Sequence, residues 1–238
     1  MVKTKSYGGN LKQPRVLLIG NSDGIGLAAT KRFLTAEWEI TGISRSESTI
    51  SHKAYDHYSA DVSSENFLPL INKVVQMQPP ELCIYFVGIG ALLDPLNMED
   101  EPKIIDVNLT GMVRTASVVI PEMVRQGKGH FIGISSLADE LISAEAPSYH
   151  ASKAGFSNYL IGLAVALKPS GVYVTNLRFG FVDTKMAKGN ARPFMMSVEK
   201  AVDHLEVCIR KRPVRYTAPK IAVPLVKFRK LMLRLNSC

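Results

Sequence analysis

The chain has 238 residues, 46% of them hydrophobic and 21% charged. That balance excludes disordered and collagen-like classes, and the length suits one large α/β domain with a substantial buried core. The 29 basic residues exceed the 21 acidic ones by eight. Nine of them (Arg210, Lys211, Arg212, Arg215, Lys220, Lys227, Arg229, Lys230 and Arg234) follow Glu206, the last acidic residue, so the basicity is C-terminal. A nucleic-acid binder would spread basic residues over a folded face, and no nucleic-acid partner is expected.

Taken in chain order, apolar β-branched runs alternate with helical patterns. Residues 15–19 (RVLLI) predict a strand, and 24–36 a helix with Ile25, Ala28, Ala29 and Phe33 at helical spacing. Strands are expected at 38–43 and, more weakly, 54–59, then a helix over 65–77. Residues 82–87 (LCIYFV) are apolar throughout, as in a strand buried on both faces. Further strands are expected at 130–134 and 172–177, flanking a helix over 148–167 that Pro169 and Gly171 end. This alternation predicts an α/β fold: a doubly wound, Rossmann-type, mostly parallel sheet with helices on both faces, in a single domain.

No apolar run approaches the roughly 20 residues that cross a bilayer. Residues 1–10 (MVKTKSYGGN) carry no apolar core and no cleavage site, so no secretory signal is expected. Cys83, Cys208 and Cys238 are far apart and odd in number, with no CxxC pair, which fits a reducing cytoplasm. His52, His57, His130, His150 and His204 show no metal-ligand spacing, and no metal is expected.

The first strand runs into Gly20-Asn21-Ser22-Asp23-Gly24-Ile25-Gly26, and a helix follows at once. Glycines there allow a tight reversal, close backbone approach to a pyrophosphate and close helix–strand packing. The helix N-terminus offers unpaired N–H groups to phosphate. Asp23 puts a carboxylate in that turn, so it is expected to face solvent or cap the helix. The second strand ends Ile43-Ser44-Arg45-Ser46, where NAD sites carry an acidic residue. A guanidinium and a serine hydroxyl can hold a ribose 2′-phosphate, so NADP(H) is preferred over NAD(H), which stays possible. Asp61, before Val62, either accepts a hydrogen bond from adenine or caps the next helix with Ser63 and Ser64.

Tyr149 and Lys153 lie four residues apart on one helical face. Ser136 ends a buried strand 13 residues before Tyr149, at the carboxyl edge where open α/β sheets bind ligands. Asn108 lies in a helical segment between two strands. With these residues in this order, the chain resembles the short-chain dehydrogenases/reductases, in their compact single-domain branch, from about residue 15 to residue 183. The resemblance implies that Gly20, Ser22, Asp23, Gly24, Ile25 and Gly26 line the cofactor turn, with Ser44, Arg45, Asp61, Val62 and Gly88 along the adenosine half. It implies a catalytic tetrad of Asn108, Ser136, Tyr149 and Lys153, with Gly180, Val182 and Thr184 passing the nicotinamide.

In that reading Tyr149 is the general acid/base, Ser136 holds the substrate oxygen, and Lys153 binds the nicotinamide ribose. Asn108 keeps a proton path through a water to Lys153. A lysine ammonium and an oxidised nicotinamide would lower the phenol pKa from its usual value of about 10. The family's usual Asn-Asn-Ala-Gly is Tyr85-Phe86-Val87-Gly88 here, the usual proline before Gly180 is Phe179, and Ile19 precedes the first glycine.

Residues 185–205 are expected to form a substrate lid. Met186, Phe194, Met195 and Met196 suggest an apolar carbonyl/alcohol substrate or plain core. Residues 207–238 read as a basic amphipathic tail, with Leu225, Phe228, Leu231, Met232 and Leu235 opposite Lys227, Lys230 and Arg234. Such a segment can lie on an anionic membrane, dock on a subunit or close the pocket. A homodimer or homotetramer follows from the resemblance. A dinucleotide-binding regulatory protein with little or no turnover, suggested by Tyr85–Val87, is the rival from another class.

Overall fold

The computed structural model describes residues 14–187, 194–221 and 224. Seven strands form one parallel sheet in the order β3-β2-β1-β4-β5-β6-β7: β1 (Arg15–Ile19), β2 (Glu39–Ser44), β3 (Tyr55–Ser59), β4 (Leu82–Tyr85), β5 (Gly129–Ser136), β6 (Val172–Phe179) and β7 (Arg215–Ala218). The chain winds outward from β1 to β3, then returns to the other side of β1 as β4. A crevice therefore opens beyond the carboxyl ends of β1 and β4, where strand order reverses.

Alternating side chains of each strand feed two apolar layers. Leu17, Ile19, Cys83, Tyr85, Phe131 and Val174 pack against α2 (Phe67–Met77), α4 (Gly111–Arg125) and α5 (Pro147–Leu167). Val16, Leu18, Ile84, Ile132, Ile134 and Leu177 pack against α1 (Gly24–Thr35) and α6 (Val198–Lys211). This is the expected doubly wound single domain.

The differences from the sequence reading are local. β4 stops at Tyr85, because Phe86 and Val87 already belong to the loop beyond the sheet, whereas β5 ends at Ser136 and β6 runs two residues further than expected. β7 was not anticipated: four residues with a mixed polar pattern give no periodic signal, yet they pair with β6 from Asn176↔Arg215 to Phe179↔Ala218. Residues 207–211 are the end of α6, so the basic segment starts inside the domain. The rest of the amphipathic pattern, from Leu225 onward, lies outside the described residues, as do residues 188–193 of the expected lid.

One stretch, Asp100–Arg125, is long and apolar enough to cross a membrane by length and composition, which corrects the expectation that none is. It comprises α3 (Asp100–Ile105), a π turn (Asp106–Thr110) and α4, and half of its most apolar window is buried inside the domain. Met112, Ala116, Val119, Ile120 and Met123 are its core face.

Tyr85 anchors the π turn. Its ring is fully buried 6.1 Å from Phe156, and its hydroxyl donates to the Val107 carbonyl at 2.8 Å. The aromatic replacing the family's asparagine is thus a core residue that holds the turn carrying Asn108. Tyr85→Phe keeps the shape and removes that bond; we expect a loss of about 1–3 kcal/mol, read as a lower urea midpoint at unchanged m.

Candidate functional site

The glycine turn sits at the switch point. Gly20 (φ +84°) and Gly24 (φ +50°) adopt the left-handed conformation, and a Cβ on Gly26 would run into the Gly20 carbonyl. Asn21, fully buried, donates to Thr30 Oγ1 (3.2 Å) and Tyr55 Oη (2.7 Å) and lies on Gly42, pinning the turn to β2 and β3. Asp23 caps α1 by accepting from Gly24 N at 2.8 Å, and Lys185 Nζ lies 2.8 Å from its other oxygen. These partners hold its carboxyl below the ordinary range, the Lys185 contact most of all. Ser22 is half-buried beside it, and Ile25 packs into the α1–α6 layer.

Arg45 is exposed at the end of β2. Ser44 differs from its expected role: its hydroxyl is buried, donates to the Ser46 carbonyl (3.0 Å) and lies 2.8 Å from His57 Nε2. It is committed within the chain. Asp61 Oδ1 accepts from Ser63 N (2.9 Å) and Ser63 Oγ (2.6 Å), closing a turn ahead of α2. Burial pushes its pKa up, but these bonds and the charges of Arg45 and Lys103 leave it below its ordinary value. The neighbouring Val62 side chain is core.

Opposite the turn, α5 carries Tyr149 and Lys153. The phenol lies close enough to Ser136 for that hydroxyl to favour its ionised form, and Ser136 Oγ accepts from Ala138 N at 3.1 Å and so caps the 3₁₀ turn Leu137–Glu140. Lys153 is only 4% exposed; its Nζ lies 4.9 Å from the Phe156 ring centroid and 6.0 Å from that of Tyr149, and donates to the Ile134 carbonyl at 3.2 Å. Gly88 leaves it room: a Cβ there would stand 3.3 Å from Nζ, 3.7 Å from Asn108 Oδ1 and 3.7 Å from Met186 Cε.

Asn108, fully buried in the π turn, accepts from Ile89 N (2.7 Å) and donates to Ile89 O (2.9 Å) and Ser152 Oγ (3.0 Å). Its amide ties the loop after β4 to α5. Thr184 faces Gly24, with 3.2 Å between its Cγ2 and a Cβ placed there. Gly180 N bonds Ala218 O at 2.9 Å, and Val182 is buried in a bridge to Met196.

Burial also decides the titrations. It raises the Tyr149 pKa above its ordinary value, against the nearby Ser136 hydroxyl and with help from the Asp139 charge. Burial lowers Lys153 to about 8, opposed by Asp139. The expected lowering of the phenol is therefore not a property of the free site, where desolvation wins.

The arrangement fits a dinucleotide. An ammonium has three donors, and the described residues engage one of Lys153's, at the Ile134 carbonyl, which leaves two for vicinal hydroxyls of a ribose. The short chain dehydrogenase pattern matches residues 14–193. The chain belongs to this family. An uncharacterised oxidoreductase of Myxococcus xanthus is 35% identical over 149 residues, 60% of this chain and 59% of that protein, so the chain spans less than two thirds of that relative. A short-chain dehydrogenase from Sphingobium yanoikuyae in complex with NADPH superposes with a TM-score of 0.79 at 23% identity, covering 94% of this chain and 95% of that one. One from Leptospira borgpetersenii with bound NAD+ gives 0.69 at 18%, covering 78% of each. At such identities the two structures establish the fold.

Asp139, Ser157 and Arg178 form a buried cluster behind the Ser136 turn that residue spacing does not reveal. The available signal was an arginine inside the apolar run of β6, since a buried charge requires a partner.

Because the Lys153 ammonium is desolvated, Lys153→Met is expected to keep or raise the Tm at pH 7 while removing the site's cation; calorimetry checks it.

Proposed function

We propose that this short-chain dehydrogenase is an NADP(H)-preferring oxidoreductase. It moves a hydride between nicotinamide and a small carbonyl/alcohol substrate, with Tyr149 as general acid/base. The observation that carries this reading is the Ser136–Tyr149 hydroxyl pair with the Lys153 ammonium beside it, at the carboxyl edge of the sheet and next to the glycine turn.

A bound nicotinamide supplies or accepts the hydride. Ser136 donates to the substrate oxygen, and Tyr149 passes it the proton. Lys153 holds the ribose, and Asn108 keeps the loop after β4 in place. The raised phenol pKa keeps Tyr149 protonated at neutral pH, the form that donates a proton in carbonyl reduction. Gly20, Ser22, Gly24, Ile25 and Gly26 take the pyrophosphate. Arg45 takes the 2′-phosphate. Asp61, Val62 and Gly88 border the adenosine and its ribose, and Gly180, Val182 and Thr184 border the nicotinamide.

Phe181, Met186 and Phe194, 41–54% exposed near the end of β6, support an apolar substrate. Val124 on α4 and Val165 on α5 are exposed apolar residues that support a homodimer or homotetramer. The free, buried Cys83 and Cys208 support a cytoplasmic location.

The test is NADPH consumption against a panel of ketones, aldehydes and quinones. Tyr149→Phe is expected to lower kcat about 10²–10⁴-fold with cofactor affinity retained. Unchanged turnover would remove the assignment, and NADPH binding with no turnover of any substrate would favour the regulatory alternative. Arg45→Ala is expected to weaken NADPH binding about tenfold or more, leaving NADH unaffected, as read by fluorescence titration. Lys153 loses its proton above about pH 8, so kcat/KM for reduction is expected to fall as pH rises through that value.

A further inference from the structure

Behind Ser136, a carboxylate and a guanidinium are buried together. Asp139 belongs to the 3₁₀ turn that Ser136 caps, and Arg178 comes from β6; their side chains are 1% and 4% exposed. Arg178 Nη2 and Nε donate to Asp139 Oδ1 at 2.7 and 3.1 Å. The other oxygen, Oδ2, accepts from Ser157 at 2.5 Å, and Ser157 Oγ lies 2.8 Å from Ser135 Oγ on β5. Arg178 also reaches Glu140 Oε1 (2.7 Å) and Thr217 Oγ1 (3.4 Å), and Arg215 lies 3.5 Å from Glu140.

The placement is specific. Ser157 is one helical turn beyond Lys153 on the same helix, and Ser135 adjoins Ser136 on the same strand. One carboxylate therefore bolts the serine turn to the helix carrying Tyr149 and Lys153, and to β6. Packing alone could hold these elements without desolvating two charges. What packing cannot supply is negative charge beside the lysine.

We propose that Asp139 is a positioning residue of the Ser136–Tyr149–Lys153 site: a buried carboxylate, held in register by Arg178, that locks the serine turn to α5 and sets a negative charge behind the tyrosine–lysine pair. The proposal rests on the catalytic reading of those three residues.

Around Lys153 lie the Ile134 carbonyl of β5, Phe156 of α5 and Gly88 after β4, with Asn108 of the π turn and Met186 after β6 also bordering the space at Gly88. Tyr149 meets Ser136, Gly90 and His150, whose Nδ1 is held 3.0 Å from the Leu141 carbonyl. Asp139 is the charge that acts on both, and it favours the protonated form of each. Behind it stand Arg178, Glu140 and Arg215.

The test is Asp139→Asn, which keeps hydrogen-bonding capacity and removes the charge. Two readouts are followed: the carbon NMR titration of the Lys153 side chain, identified by its absence in Lys153→Met, and the pH profile of NADPH-dependent reduction. Both the Lys153 titration and the basic limb of the profile are expected to move to lower pH by about half a unit to one unit. Asp139→Glu, which keeps the charge, is expected to restore them toward the wild-type values. A folded Asp139→Asn protein whose titration and profile coincide with wild type overturns the proposal, even if its Tm has dropped, since a purely structural role moves only stability. If Asp139→Asn fails to fold, the double substitution Asp139→Asn/Arg178→Gln removes both buried charges; an acidward shift reduced by the loss of the opposing Arg178 charge is expected, and a shift to higher pH overturns the proposal. A wild-type protein that turns over no substrate, but whose Lys153 titration still depends on Asp139, would sink the catalytic reading and leave the charge coupling standing.

Discussion

An ammonium group buried at the end of a parallel sheet is unfavourable unless its surroundings are built for it. Lys153 is that group, and much of the local architecture follows from it. Gly88 has no side chain where one would press on Nζ. The Ile134 carbonyl turns toward it at the edge of β5, and the face of Phe156 lies 4.9 Å away, within cation–π range. Asn108 uses its whole amide to hold the neighbouring loop, and the π turn that carries Asn108 is itself held by Tyr85.

Much of the fold is legible because its signals are local. A strand buried on both faces must read as LCIYF or RVLLI, and a dinucleotide turn must place glycines where backbone and phosphate meet. The tyrosine–lysine pair is legible because four residues is one helical turn. What stays hidden depends on tertiary neighbours. β7 exists because β6 offers it an edge, and RYTA carries no pattern of its own. Ser44 has the right residue type for a phosphate ligand, yet His57 from the adjacent strand takes its hydroxyl inward. Tyr85 and Phe86 read as losses against the family's asparagines. In the structure they enter opposite core layers, and Tyr85 takes over a polar task through its hydroxyl.

The titration of Tyr149 shows why sign cannot be read from spacing. A lysine four residues on suggests an attractive charge for a phenolate. Burial opposes ionisation of both groups, and a carboxylate behind the serine turn opposes it further for the tyrosine. The same carboxylate favours the lysine cation. One buried negative charge thus reinforces desolvation at one member of the pair and partly offsets it at the other, its own contribution favouring the protonated form of each.

The segment after β6 joins the two halves of the cleft. Within three residues, Thr184 rests against Gly24, Lys185 pairs with Asp23, and Met186 reaches the space above Gly88 and Lys153. The Lys185–Asp23 pair is 80% and 53% exposed, so screening leaves it little worth for stability. Its consequence is electrostatic and local. A carboxylate at the N-terminus of α1 competes with phosphate for the same N–H groups and repels it, and a cation 2.8 Å away cancels that repulsion. The electrostatics of the glycine turn and the packing near the lysine therefore depend on the same short stretch of chain, and displacing it would disturb both at once.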